Sequence, residues 1–255
     1  MAKIGVFDSG YGGLTILKEI RKVLPEYDYL YLGDNARAPY GTHSFDVIYR
    51  YTLEAVKYLF EQDCALVILA CNTASAKALR TIQQKDLPGM NGEGLRVTGY
   101  GLQEPVHELV VTQQACPMWV PLIEAGEHES DGAKYFVGKY MREILAKDPQ
   151  IDTLVLGCTH YPLLKAKIEG WLRYHEEIAE SEFPVPAQTT HIRIISQGTL
   201  VADSLKDYLN RHPEYREQLS EGGSCAYLTT ENADRFSQSA SLFLDCSVCA
   251  EHVDL

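Results

Sequence analysis

No run of apolar residues in this 255-residue chain approaches the ~20 that a membrane-spanning helix needs. The opening stretch MAKIGVFDSG is too short and too polar for a secretion signal. Basic residues are scarce: 23 lysines and arginines stand against 35 aspartates and glutamates, a net charge of -12. That balance argues against a nucleic-acid-binding surface. The turn DSGYGG lacks the lysine of a GxxxxGK(S/T) phosphate loop and does not match GxGxxG. HExxH does not occur, and CSVC at 246–249 has no second CxxC to complete a zinc ribbon. These absences predict a soluble cytoplasmic protein with no membrane partner, no nucleic-acid partner and no metal.

Cysteine, by contrast, is present. There are seven, an odd number in a chain too long for a disulfide-built miniprotein. Without a secretion signal, reduced thiols are expected, serving as packing residues, metal ligands or reactive groups. Cys64, Cys116 and Cys225 read as packing residues.

The pattern along the chain is strand then helix, repeated. KIGVF (3–7) reads as a strand feeding the glycine turn DSGYGG, and a helix follows with one apolar stripe from Leu14 to Leu24. YDYLYLGD (27–34) is a second strand, residues 44–62 a long helix, ALVILA (65–70) a fully apolar strand and 74–84 a helix. Residues 85–94 read as a loop between lobes, and 95–114 holds two short β-like runs without a clean period. The stretch from Pro121 to Lys147 is helical in its second part. TLVLG (153–157) is an apolar strand, 162–172 a helix and 175–190 a polar loop. Further strand-like and helix-like segments lie at 191–196, 201–211, 225–230 and 232–244. Alternating elements with apolar strands predict an α/β fold with mostly parallel sheets, whose ligands sit at the carboxyl ends of strands.

Two stretches share one plan. ILACNTASA (68–76) and LVLGCTHYP (154–162) each run from an apolar strand into a cysteine with hydrogen-bonding neighbours, then a helix. A strand-end thiol at a helix N-terminus sits in positive potential, so both Cys71 and Cys158 are expected to have lowered pKa values. Two activated thiols suit one chemistry: one removes a proton from carbon, the other returns one to the opposite face. Asp8 ends the first strand and could act as a base near a thiol, with Ser9 as a ligand donor. His160 could relay the proton of Cys158, and Glu124 could orient His160.

Five blocks, in order, resemble glutamate racemase of the cofactor-independent aspartate/glutamate racemase superfamily: IGVFDSGYGGLTILKEI, YLGDNARAPYG, LVILACNTASA, QACPMWVPLIEAGE and LVLGCTHYPLL. The resemblance implies two facing α/β lobes, 1–94 plus 198–255 and 95–197, with the site in the cleft. It implies no cofactor, glutamate as the small-molecule substrate, D-glutamate supplied to peptidoglycan, and a homodimer. It points to Cys71 for the D-glutamate face, assisted by Asp8, and to Cys158 for the L-glutamate face, assisted by His160 and Glu124. Ser9, Pro39, Tyr40, Gly41, Asn72, Thr73 and Thr159 match substrate-pocket positions. In one place the chain departs from the pattern: roughly one βα unit, some 25 residues with a GTxxT loop, is missing near 98–112. A shortened second lobe and weaker substrate binding are therefore expected. Rival readings are aspartate racemisation, a degenerate binding member without turnover, and a thiol-dependent hydrolase, which would leave the second strand-end cysteine unexplained.

Overall fold

A computed structural model describes residues 1–89, 96–98, 110–177 and 192–255. The chain divides into two compact units, Met1–Gly101 with Gly198–Leu255, and Leu102–Gln197.

The first unit is built on a six-stranded sheet. Its strands are β1 (Lys3–Asp8), β2 (Tyr29–Gly33), β3 (Cys64–Leu69), β4 (Arg96–Thr98), β7 (Cys225–Thr229) and β8 (Ala250–His252), in the order β4-β3-β1-β2-β7-β8. Every pairing is parallel. Ile4, Val6, Phe7, Leu66, Val67, Ile68 and Leu69 are all at most 2% exposed. That is why β1 and β3 read as unbroken apolar runs: a parallel strand covered on both faces has no polar side. Each such side chain contributes about 1.5–3 kcal/mol by leaving water.

Helices α1 (Gly13–Val23), α2 (Phe45–Glu61) and α3 (Asn72–Thr81) connect these strands. Gly13 lets α1 start hard against β1, since a Cβ there would lie 2.6 Å from the Cβ of Asp8. α3 starts two residues earlier than the sequence pattern suggests and continues as a wider turn through Ile82–Asp86. The tail, which carries no clear period, contributes β8.

The second unit holds α4 (Trp119–Glu124), α5 (Asp131–Lys147), β5 (Thr153–Leu156), α6 (Lys165–Glu177) and β6 (Arg193–Ser196). α5 opens on Ser130, whose hydroxyl accepts the N–H of Ala133. β5 and β6 form a parallel pair, the two strands of this unit among the described residues. Leu154 and Leu156 are buried, whereas Thr153 and Val155 are exposed, so the strand expected from the apolar run at 153–157 is present as β5 with one open face. Of the two β-like runs expected in 95–114, the first gives β4; residues 110–114 form no strand, and 99–109 lie outside the described residues. So do 178–190 of the expected polar loop, while Glu177 still belongs to α6. α7 (Gln197–Arg211), α8 (Pro213–Arg216) and α9 (Ala233–Leu244) complete the chain.

Candidate active site

In the first unit the sheet order reverses between β1 and β3. β1 leads through α1 to β2 on one side, whereas β3 and β4 lie on the other. Such a switch point leaves a crevice beyond the carboxyl ends of the strands. Phe7 pairs with Leu69, and the Ala70 N–H donates to the carbonyl of Phe7 at 2.8 Å. The next residues on the two strands, Asp8-Ser9 and Ala70-Cys71, therefore leave the sheet side by side.

Cys71 caps α3. Its sulfur accepts the N–H of Ala74 at 3.4 Å and lies 3.1 Å from Ser9 Oγ. The residue is only 5% exposed. Burial first, and the nearby Asp8 carboxylate second, push its thiol up to about 11. The hydrogen bonds from Ser9 and Ala74 act in the opposite direction but do not outweigh burial. This corrects the expectation of a lowered pKa: the helix terminus is there, but the thiol beneath it is dry and beside an anion.

Asp8 is buried, and its carboxylate accepts the N–H of Gly10 at 2.9 Å, which shapes the DSG turn. Asn72 and Thr73 occupy the first turn of α3 and are partly exposed. Pro39 and Gly41 are exposed on the strap after β2. Tyr40, between them, turns its side chain inward: it is 2% exposed and its hydroxyl donates to Asp34. What the strap offers a ligand at Tyr40 is backbone.

Asp34 escaped the sequence reading. It follows β2 directly and is completely buried. Arg37 Nε donates to it at 2.6 Å and Thr230 Oγ1 at 2.8 Å. The signal that could have found it is its position: like Asp8, it is an acid at the end of an apolar strand.

In the second unit, Cys158 follows β5, and Thr159 beside it is buried. No α-helix starts at once; a single tight turn, Tyr161–Leu164, precedes α6. His160 Nδ1 lies 3.8 Å from Cys158 Sγ, and its Nε2 lies 3.0 Å from Glu124 Oε1. With Nε2–H donating to the carboxylate, Nδ1 is left as the acceptor facing the thiol. Glu124 ends α4, a short helix that the sequence pattern hides because Pro121 interrupts it. The expected line Cys158–His160–Glu124 is thus present as three neighbours.

The remaining cysteines are free thiols. Cys64 and Cys116 are buried, and burial lifts both to about 12. Cys246 and Cys249 are exposed. Among the described residues, no group of three or more His, Cys, Asp or Glu side chains could hold a metal ion. No helix among them is long and apolar enough to cross a membrane.

No family model matches the chain. Individual relatives do. The glutamate racemase of Ruegeria sp. (strain TM1040) is 36% identical, with 94% of this chain and 96% of the relative covered. That alignment runs over 284 positions, more than the 255 residues of the chain, so the relative has residues for which this chain has no counterpart. The glutamate racemase of Aquifex aeolicus is 35% identical, over 81% of this chain and 83% of the relative. Among solved structures, glutamate racemase from Thermus thermophilus in complex with beta-chloro-D-alanine superposes with a TM-score of 0.72 at 26% identity, covering 100% of this chain and 97% of that one. The Aquifex pyrophilus glutamate racemase gives 0.62 at 26% identity, with 98% of each chain covered. Identity of this extent, over nearly the whole length, on the same α/β architecture, places the chain in the glutamate racemase family.

Proposed function

We propose that this protein interconverts L- and D-glutamate by moving a proton at Cα between two cysteines. One observation carries the reading: each unit sets a thiol with a polar partner just past the end of a parallel strand, Cys71 after β3 beside Ser9 and Asp8, Cys158 after β5 beside His160 and Glu124. In one direction Cys71, as thiolate, takes the α-proton of D-glutamate and the Cys158 thiol protonates the opposite face. In the other, Cys158 takes the proton of L-glutamate and Cys71 returns one. Every turnover ends with the two thiols in exchanged protonation states, so the reverse step or solvent resets them.

At rest Cys71 is a protonated thiol and hence a proton donor. To act as base it must lose that proton. Asp8 is the neighbouring group that can accept it, and the substrate ammonium, once bound, favours the thiolate. His160, held by Glu124, serves Cys158 in the same way. The carbanion that forms needs fixed donors in a dry site. The first-turn residues Asn72 and Thr73, with Ser9, Thr159 and the Pro39-Tyr40-Gly41 strap, are assigned to hold the substrate. D-glutamate would then leave for peptidoglycan synthesis in the cytoplasm, from a homodimeric enzyme. The shorter middle of the chain removes part of the second unit and predicts weak substrate affinity, not loss of either thiol.

The test is substitution. Cys71→Ala and Cys158→Ala should each abolish racemisation in both directions, because each direction uses both groups. Near-normal turnover in either variant contradicts the two-thiol mechanism.

A further inference from the structure

Two turns at the carboxyl edge of the first sheet carry residues assigned above to glutamate: the DSG turn after β1 and the Pro39–Gly41 strap after β2. One loop from far along the chain, between β7 and α9, is bonded to Tyr11 in the first turn and to the Gly33–Ala36 segment that leads into the strap.

Thr230 reaches the segment that leads into the strap. Its N–H donates to the carbonyl of Gly33 at 3.1 Å, its hydroxyl accepts the N–H of Ala36 at 3.1 Å, and the same hydroxyl donates to Asp34 Oδ1 at 2.8 Å. The other oxygen of that buried carboxylate accepts Tyr40 Oη–H and Arg37 Nε–H. Thr230 therefore orients the acid that orients Tyr40, the middle residue of the strap. Glu231 reaches the turn. Its Oε1 accepts the hydroxyl of Tyr11, whose ring stacks on Phe236 and Phe243 of α9 at 5.5 and 5.9 Å. Tyr11 lies just beyond Ser9 and Gly10 in the turn. The loop is itself fixed: the Glu231 N–H donates to Thr229 Oγ1 at 3.2 Å, and Thr229 is fully buried.

We infer that Thr230 and Glu231 are positioning residues, a clasp that sets the spacing of the two glutamate-facing turns. The inference rests on the racemase reading. Neither residue belongs to the hydrophobic core; Thr230 spends its hydroxyl on Asp34 and Ala36, and Glu231 divides its carboxylate between Tyr11 and Arg235. Hydrogen bonds to a carboxylate are the stronger, more directional kind, and small displacements of substrate-holding groups are costly.

The experiment compares kinetic constants for D- and L-glutamate in wild type, Thr230→Val, Thr230→Ser and Tyr11→Phe, with near-ultraviolet circular dichroism and thermal unfolding to confirm the fold. Thr230→Val removes both hydroxyl bonds at similar volume. It should raise KM for both enantiomers about two- to tenfold, the worth of one hydrogen bond, with kcat within about twofold. Thr230→Ser, which keeps the hydroxyl, should restore KM. Tyr11→Phe keeps the ring stack and should raise KM similarly, so it decides the matter if Thr230→Val does not fold. A folded Thr230→Val enzyme with wild-type KM, or a Thr230→Ser enzyme as impaired as Thr230→Val, overturns the clasp. Wild-type protein with no turnover of glutamate would instead strike the racemase reading, which the same assay separates from a clasp that fails in an active enzyme.

Discussion

Ser9 Oγ and Cys71 Sγ lie 3.1 Å apart although 62 residues separate them in the chain. The sheet brings them together: β1 and β3 are parallel neighbours, and each ends just before one of the two residues. A hydroxyl at this distance can donate to a thiolate, yet the resting thiol stays protonated because burial and Asp8 outweigh it.

Alkylation reports that state. Only the thiolate is nucleophilic. In ligand-free protein, Cys71 should therefore react slowly with iodoacetamide at pH 7, and its rate should climb about tenfold per pH unit until near its value of about 11. Mass spectrometry of the peptide carrying Cys71 follows this. A rate already at its plateau at pH 7 would contradict a raised pKa.

Glu124 holds the outer nitrogen of His160 at 3.0 Å, and its side chain is 46% exposed. Glu124→Gln keeps a hydrogen bond but removes the charge that favours imidazolium. We expect kcat to fall about tenfold or more, with KM nearly unchanged. An unchanged kcat would remove Glu124 from the relay.

Much of this site was legible in the chain. The apolar strands β1 and β3, the turn after the first and the cysteine after the second are all local patterns. So was the spacing that sets His160 beside Cys158. What was not legible depends on neighbours from far away. The thiol of Cys71 is raised by packing that no single segment reveals. Tyr40 reads as a pocket residue, but its ring goes inward because Asp34 is there to take its hydroxyl. Asp34 itself reads only as the last residue of a strand until Thr230, almost two hundred positions later, is seen bonded to it. α4 was hidden by Pro121, and the open face of β5 by a run of apolar letters.

Arg37 gives a stability prediction. Its guanidinium bonds the fully buried Asp34 and the half-exposed Glu54, each at 2.6 Å, and lies over the Tyr51 ring at 4.1 Å. Arg37→Met leaves the Asp34 carboxylate without a cation. Urea unfolding should show a loss of about 3 kcal/mol, the usual consequence of breaking a buried pair. A loss below about 1 kcal/mol would mean that Tyr40 and Thr230 alone satisfy Asp34.

The buried thiols add to the loss of stability at alkaline pH. Cys71 sits at about 11, and Cys64 and Cys116 at about 12, all above the ordinary 9.0. A group whose folded pKa is raised contributes stability fully below its unfolded pKa and loses it as pH climbs to the folded one. Stability should therefore be flat with respect to these thiols below about pH 9 and fall between 9 and 12, read as a declining urea midpoint. Cys64→Ala should make that alkaline decline shallower.

The most direct test of the two-thiol account is racemisation in deuterium oxide. Purified protein is given D-glutamate, and separately L-glutamate, while circular dichroism follows the loss of optical activity and mass spectrometry follows α-deuteration. The account predicts that both enantiomers racemise and that the product enantiomer carries solvent deuterium from its first appearance. Folded protein that neither changes the optical signal nor exchanges the α-proton would contradict it, and would leave a glutamate-binding protein without turnover.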